Sequence, residues 1–296
     1  MLRSLFAGIS GLRVNQTALD VTGNNIANAN TAGFKSSQIV FQDTLSQMLT
    51  GATTPAPAPG RGGTNPMQVG LGVQVGGINT NFGQGSAQMT NRPTDLMIQG
   101  DGFFMVERDG TDFYTRAGAF NFDAAGNLVT VDGDKVKGWT VTGPATGTPP
   151  VAAMPATDET TDQPFNINGA AAAANPSGTL LSYNIGTDGT VVGVFDNQDQ
   201  PVVLGQLALA NFVNPQGLEK VGDSLYRETG NSGAAGVGPA GAGGRGTLVG
   251  GAIEMSNVDL AQEFTNLIIA QRGFQASSRV ITTSDQVLEE LVNIKR

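Results

Sequence analysis

The side chains best suited to chemistry in this 296-residue chain are its carboxylates, because it contains neither His nor Cys. Without Cys there are no disulfides and no thiolate nucleophiles. Without His, the commonest general base and metal ligand near neutral pH is missing. Four aspartates, Asp101, Asp109, Asp132 and Asp188, each precede a glycine. Two of them held about 5–10 Å apart across a cleft would suit glycoside hydrolysis. Asp-Gly is first a turn signal, however, since Asp bonds its own backbone and Gly accepts positive φ. Asp158, Glu159 and Asp162 could ligate calcium weakly but lack EF-hand spacing, so a solvated loop is the simpler reading. Gly236, Gly238 and Gly241 satisfy G-x-G-x-x-G, yet they sit in a Gly/Ala tract with Pro239 inside it. A dinucleotide site would need a strand before them and a helix directly after. No catalytic set, no cofactor and no metal site is expected.

Composition narrows the classes further. Hydrophobic residues make up 39% and Gly contributes 42 residues without a G-x-y period, which suggests many turns joining short strands. A net charge of -9 argues against an electrostatic grip on nucleic acid or an anionic membrane. No apolar run approaches the length of a spanning helix, so no membrane insertion is expected. The apolar start Met1–Ala7 is broken by Gly8, Ser10 and Arg13 and does not read as a cleavable secretory signal.

The elements that would position any site differ between the ends and the middle. Leu5, Leu12, Leu19 and Ile26 recur every seven residues, with Ile9, Gln16 and Gly23 interleaved. Leu260, Leu267, Phe274, Ile281 and Leu288 repeat the pattern, with Phe264, Gln271, Ser278, Asp285 and Val292 interleaved. Such repeats keep one stripe facing a partner helix. Asp259 and Gln262 read as the cap of the second helix. Five buried side chains would stabilise by roughly 8–15 kcal/mol. Ordering about 35 residues costs roughly 35–70 kcal/mol of backbone entropy. The termini are therefore expected to order fully only when many copies pack; an ordinary intramolecular antiparallel pair is the competing expectation.

Between the ends the period is two. Val69, Leu71, Val73 and Val75 read as a half-buried strand, followed by Phe103–Glu107, Phe113–Phe122, Leu180–Ile185, Thr190–Phe195 and Val202–Phe212. The expected fold is a mainly β central domain with an α-helical coiled-coil domain formed by the two chain termini. Its parts are an N-terminal helix in 1–33, a helix or linker in 34–68 with a helical turn over Gln38–Leu49, and a β domain in 69–143 and 178–229. A poorly patterned insertion occupies 144–177, a Gly-rich linker 230–255 and the C-terminal helix 256–296. Asn24, Asn25, Ile26, Ala27 and Asn28 are poor helix formers that end the first helix in a reversal closed by Gly33.

Asn24–Asn28 and Thr31-Ala32-Gly33-Phe34-Lys35 resemble the N-terminal signature of the flagellar rod and hook family. Glu254-Met255-Ser256-Asn257-Val258-Asp259-Leu260 and Ala270–Gln275 resemble its C-terminal signature. Asp95–Ile98, Gly100–Phe104 and Tyr114–Gly118 resemble its β-domain markers. Within the family, Gly186–Gly193, Leu207–Phe212 and Leu291–Arg296 resemble the hook-forming members, with the distal-rod members as the alternative. The resemblance implies a structural subunit without catalysis, placed outside the cell in the flagellum. It implies a helical homopolymer of this chain whose inner tube is built by Leu5, Ile9, Leu12, Leu19, Ile26, Leu260, Phe264, Leu267, Phe274, Ile281 and Leu288. The implied partners are distal rod subunits, the hook cap, hook–filament junction proteins and the flagellar type III export apparatus. Phe41 and Leu45 resemble the family's export-recognition motif, with an amphipathic helical turn as the other reading.

Overall fold

The computed structural model describes all residues except Met1, 55–59, Arg61, 142–162, 176–177, 198–199 and 295–296. The chain divides into two compact units, 1–27 with 37–81 and 258–296, and 28–36 with 82–257.

The first unit is built on helices α1 (Leu2–Ala27) and α3 (Leu260–Ile294), which pack on each other. Contacts of Gly8 and Gly11 with Ser277, and of Gly273 with Asn15, show that the pair is antiparallel. Asp259 caps α3, accepting from Ala261 N at 2.9 Å and Gln262 N at 3.3 Å. The expected seven-residue column is on the inner side at Leu267, Ile281 and Leu288. The second column is mostly not the interleaved one: of that only Ser278 is half-buried, and the other inward positions are Glu263, Ala270, Gly273, Ser277 and Ser284. Small side chains there meet Gly8 and Gly11, so the helices approach closely, whereas Phe264 and Val292 point outward.

A twisted two-stranded ribbon completes the unit. Ser37–Asp43 pairs antiparallel with Val73–Thr80, and Ser46–Thr50 with Met67–Gly70. This corrects two expectations. Gln38–Leu49 is strand, not helix, because Ile39-Val40-Phe41 has β-branched and aromatic character and the Val69–Val75 stretch offers it a partner. That partner stretch consequently belongs to the ribbon and not to the central β domain, and it is two strands broken at Gly72 (φ 131°).

The second unit is an antiparallel sheet wrapped around two apolar clusters. Its main path runs Leu180–Ile185, Thr190–Phe195, Val202–Leu207, Lys135–Thr140, Phe103–Arg108, Thr111–Thr115, Leu225–Arg227, Glu219–Gly222. Phe103–Arg108 is buried on both faces: Phe104 and Val106 enter the larger cluster, Phe103 and Met105 the smaller. That is why its sequence is a continuous apolar run and not an alternation. The expected strand Phe113–Phe122 is interrupted after Thr115, where Arg116 turns inward.

Two stretches expected as loose peripheral segments carry core residues. Helix α2 (Ile167–Ala174), capped by Asn166, buries Ile167, Ala170, Ala171 and Ala174 against strand Val202–Leu207. The Ala run has high helix propensity but no periodicity, which made it read as an insertion. Residues 144–162 of that expectation lie outside the described residues. In the Gly-rich stretch, Gly236–Gly238 pairs with Leu209–Asn211, and Arg245 Nε and Nη1 donate to Pro239 O and Gly236 O. Close packing under Arg245 requires the small residues that imitate a linker.

Candidate assembly surface and signature node

Among the described residues, the carboxylate and glycine patterns form turns and strands and no chemical site. Asp109 (φ 53°) and Gly110 (φ 76°) make a tight hairpin turn. Asp188 accepts from Thr190 N and Oγ1 at 3.2 and 2.6 Å, and these bonds hold its carboxyl below the ordinary range. The Gly236–Gly241 stretch is an antiparallel strand with a turn after it and no following helix, so the dinucleotide context is missing. No cluster of three or more metal-ligating side chains occurs among the described residues. Asp158, Glu159 and Asp162 lie outside them.

The signature residues separate into two groups. Asn25 in the first unit is buried at the end of α1, where its Nδ2 donates to Ser37 O at 2.8 Å and its Oδ1 accepts from Ser37 N at 3.0 Å. One side chain thus pins the start of the ribbon to the helix. An Asn is required because only an amide both donates and accepts in this way.

In the second unit Gly33, Phe34, Lys35 and Asn257 gather around Glu254, which is wholly buried. Glu254 Oε1 accepts from Lys35 Nζ at 2.6 Å and Gly85 N at 2.8 Å, and Oε2 lies 3.4 Å from Arg116 Nη1. Lys35 Nζ also donates to Gly83 O, and Arg116 Nη2 to Gly100 O. Asn257 bridges the same segments, accepting from Ser36 N and donating to Gly83 O. Burial pulls the Lys35 ammonium below its ordinary value, with the hydrogen bond to Glu254 opposing. Burial likewise lowers Arg116, with the charge of Glu254 opposing. Arg116 also lies over the Phe103 ring at 5.5 Å. Gly33 (φ 69°) donates to Glu254 O, and a Cβ there would strike the backbone of Ala117. Phe34 lies under the Lys220 ammonium at 5.1 Å. Asn28 receives a bond from Thr31 Oγ1 in the turn between helix and node. Glu254 and Arg116 lie within the C-terminal signature and the β-domain markers quoted above, but neither was singled out as a site residue. Charged side chains inside otherwise apolar segments were the available signal.

The helical positions form the second feature. Leu5, Ile9, Leu12, Leu19 and Ile26 are half-buried, whereas Leu260, Phe264 and Phe274 remain 43%, 51% and 38% exposed. Ser256 is buried, and Val258 is half-buried just ahead of α3. Further apolar side chains on α3, among them Ile268, Ile269, Val280 and Leu291, are also exposed. On the ribbon, Phe41 and Leu45 are 46% and 81% exposed, joined by Val40, Met48, Leu49, Met67 and Ile78. An apolar surface spread over both a long helix and a ribbon exceeds what scattered exposure explains and marks an interaction surface.

Comparison with known proteins agrees with this division. Residues 5–35 match the family model of the flagella basal body rod protein, 97–193 that of the flagellar hook protein FlgE/F/G D1 domain, and 249–294 that of the flagellar basal body rod FlgEFG protein C-terminal. The chain is 43% identical over 297 residues to the flagellar basal-body rod protein FlgG of Bacillus subtilis, covering all of both chains. It is 35% identical over 299 residues to FlgG of Borreliella burgdorferi, again covering all of both. Against the flagellar hook protein FlgE of the same organism it is 31% identical over 444 residues, with full coverage of both. The node binds the first matched segment to the second and third, and the paired helices are the outer two. With likeness running end to end and every signature block in order, the chain belongs to the flagellar rod and hook family of structural proteins.

Proposed function

We propose that this chain is the distal-rod subunit of the flagellum, a self-assembling shaft segment. The observation that carries this reading is length. Alignment with rod relatives spans 294 to 299 positions, while alignment with hook relatives spans 420 to 469. Hook relatives therefore carry additional sequence with no counterpart here. The hook-like segments Gly186–Gly193 and Leu207–Phe212 lie in or beside paired strands of the shared β unit, where common packing needs favour common sequence. That makes the hook reading the weaker of the two.

Assembly would proceed through the uncovered helical positions, Leu260, Phe264 and Phe274 of α3 contacting neighbouring copies while Leu5, Ile9, Leu12, Leu19, Ile26, Leu267, Ile281 and Leu288 hold each subunit's own pair. The flagellar export apparatus would deliver the chain unfolded, reading Phe41 and Leu45 before they enter the ribbon. Mass spectrometry of basal bodies after hooks are sheared away tests the reading. Retention of the chain with the rod is expected; its departure with the released hooks would return the hook assignment.

A further inference from the structure

The antiparallel helices of the first unit end out of step. Ser4 Oγ and Ser284 Oγ are 3.4 Å apart. Beyond this contact α1 continues by two residues, to Leu2, while α3 continues by ten, to Ile294. The overhang 287–294, eight residues, spans about 12 Å. It carries Val287, Leu291, Val292 and Ile294, exposed by 45%, 49%, 69% and 80%. It also carries Glu289 and Glu290, with Asp285 just before it and Lys295 and Arg296 following in the sequence. Leu288 is half-buried there, but apolar surface of this extent left exposed at a helix end is unfavourable in water.

A groove of complementary character runs along α1 in the same unit. It has a volume of about 350 Å³ and is lined by Phe6, Ile9, Val14, Val73 and Val75 with Arg13 as its one charged residue. Phe6 is 64% exposed. Phe6 to Thr17, the helical wall, covers roughly 17 Å, long enough to take the overhang. Among the described residues Arg13 forms no ion pair, nor do Asp285, Glu289 and Glu290. Asp43, opposite Val73 in the ribbon, is the neighbouring carboxylate and is not part of the lining.

We infer that the acidic apolar overhang of α3 in one copy docks in the Phe6–Arg13–Val73 groove of the next copy, with Glu289 or Glu290 meeting Arg13. The inference rests on the self-assembly proposed above and names its contact. Donor and acceptor surfaces lie at different places on the chain, so the contact is heterologous and propagates as an open polymer. It leaves each end of the polymer with one unsatisfied surface, giving growth a direction.

The absence of Cys makes cross-linking a clean test. A full-length chain carrying Gln74→Cys and Asn293→Cys, two substitutions at exposed positions, is polymerised and treated with a short bismaleimide. A ladder of dimers, trimers and longer species is expected, with no ladder from either single-cysteine chain. Polymers that form without a ladder would overturn this contact while leaving self-assembly intact. A parent chain that stays monomeric under all assembly conditions would overturn both. In the same assay Arg13→Glu should reduce polymer yield at least tenfold, and adding Glu289→Lys and Glu290→Lys should restore it. Unchanged yield in Arg13→Glu would also overturn the contact.

Discussion

Replacing Glu254 by Gln tests the node most sharply, because the substitution keeps the volume and removes only the charge. The carboxylate lies between two buried cations, Lys35 at 2.6 Å and Arg116 at 3.4 Å, with side chains 0% and 2% exposed. Its loss leaves both cations without their direct carboxylate partner in a low-dielectric site. Breaking a buried pair by removing one partner costs about 3–5 kcal/mol. For a unit of this size about 1 kcal/mol moves the melting temperature by roughly 2–4 °C, so the expected drop is about 6–20 °C. Calorimetry of the monomeric chain should place the shift in the transition of the β unit, while helical signal from α1 and α3 melts as before. Lys35→Met added to Glu254→Gln should recover part of the loss, since one unpaired cation is removed with it. A shift below about 2 °C would refute the reasoning, because it would give this buried node no more weight than an exposed pair.

Other consequences follow from the same geometry. Gly33→Ala should cost more than about 1 kcal/mol in chemical denaturation, since it combines positive φ with a backbone collision at Ala117. Asp188 has its carboxyl held low by Thr190, so its contribution is complete above 3.8 and disappears as pH falls below that value. Asp188→Asn should therefore flatten the loss of melting temperature measured between about pH 4 and pH 2. Ile269 is 64% exposed on α3, so Ile269→Asp should leave monomer circular dichroism unchanged yet abolish sedimentable polymer.

Much of the architecture was legible in the residues. The seven-residue column of Leu267, Ile281 and Leu288 located the helix pair, because a repeated apolar position needs a partner along its length. The second column was misread because the inner positions are Ala270, Ser277 and Ser284, whose contribution is closeness and not apolar bulk. Strand over Gln38–Leu49 was hidden because its pairing residues lie some thirty positions away, and local periodicity carries no information about a distant partner. Ala170–Ala174 and the stretch around Arg245 were hidden for another reason. Small residues are used both where the chain is loose and where packing is tightest, and composition does not distinguish the two. The node shows the converse. Lys35 and Glu254 were visible as parts of two separate sequence blocks, but only the fold reveals that these charges are one another's partners.

Electron microscopy of basal bodies from a strain lacking this gene tests the central claim most directly. Rods that stop short of the distal segment, with neither hook nor filament attached, are the predicted result. Complete rods without hooks would contradict the distal-rod assignment, and intact filament-bearing flagella would contradict the axial role altogether.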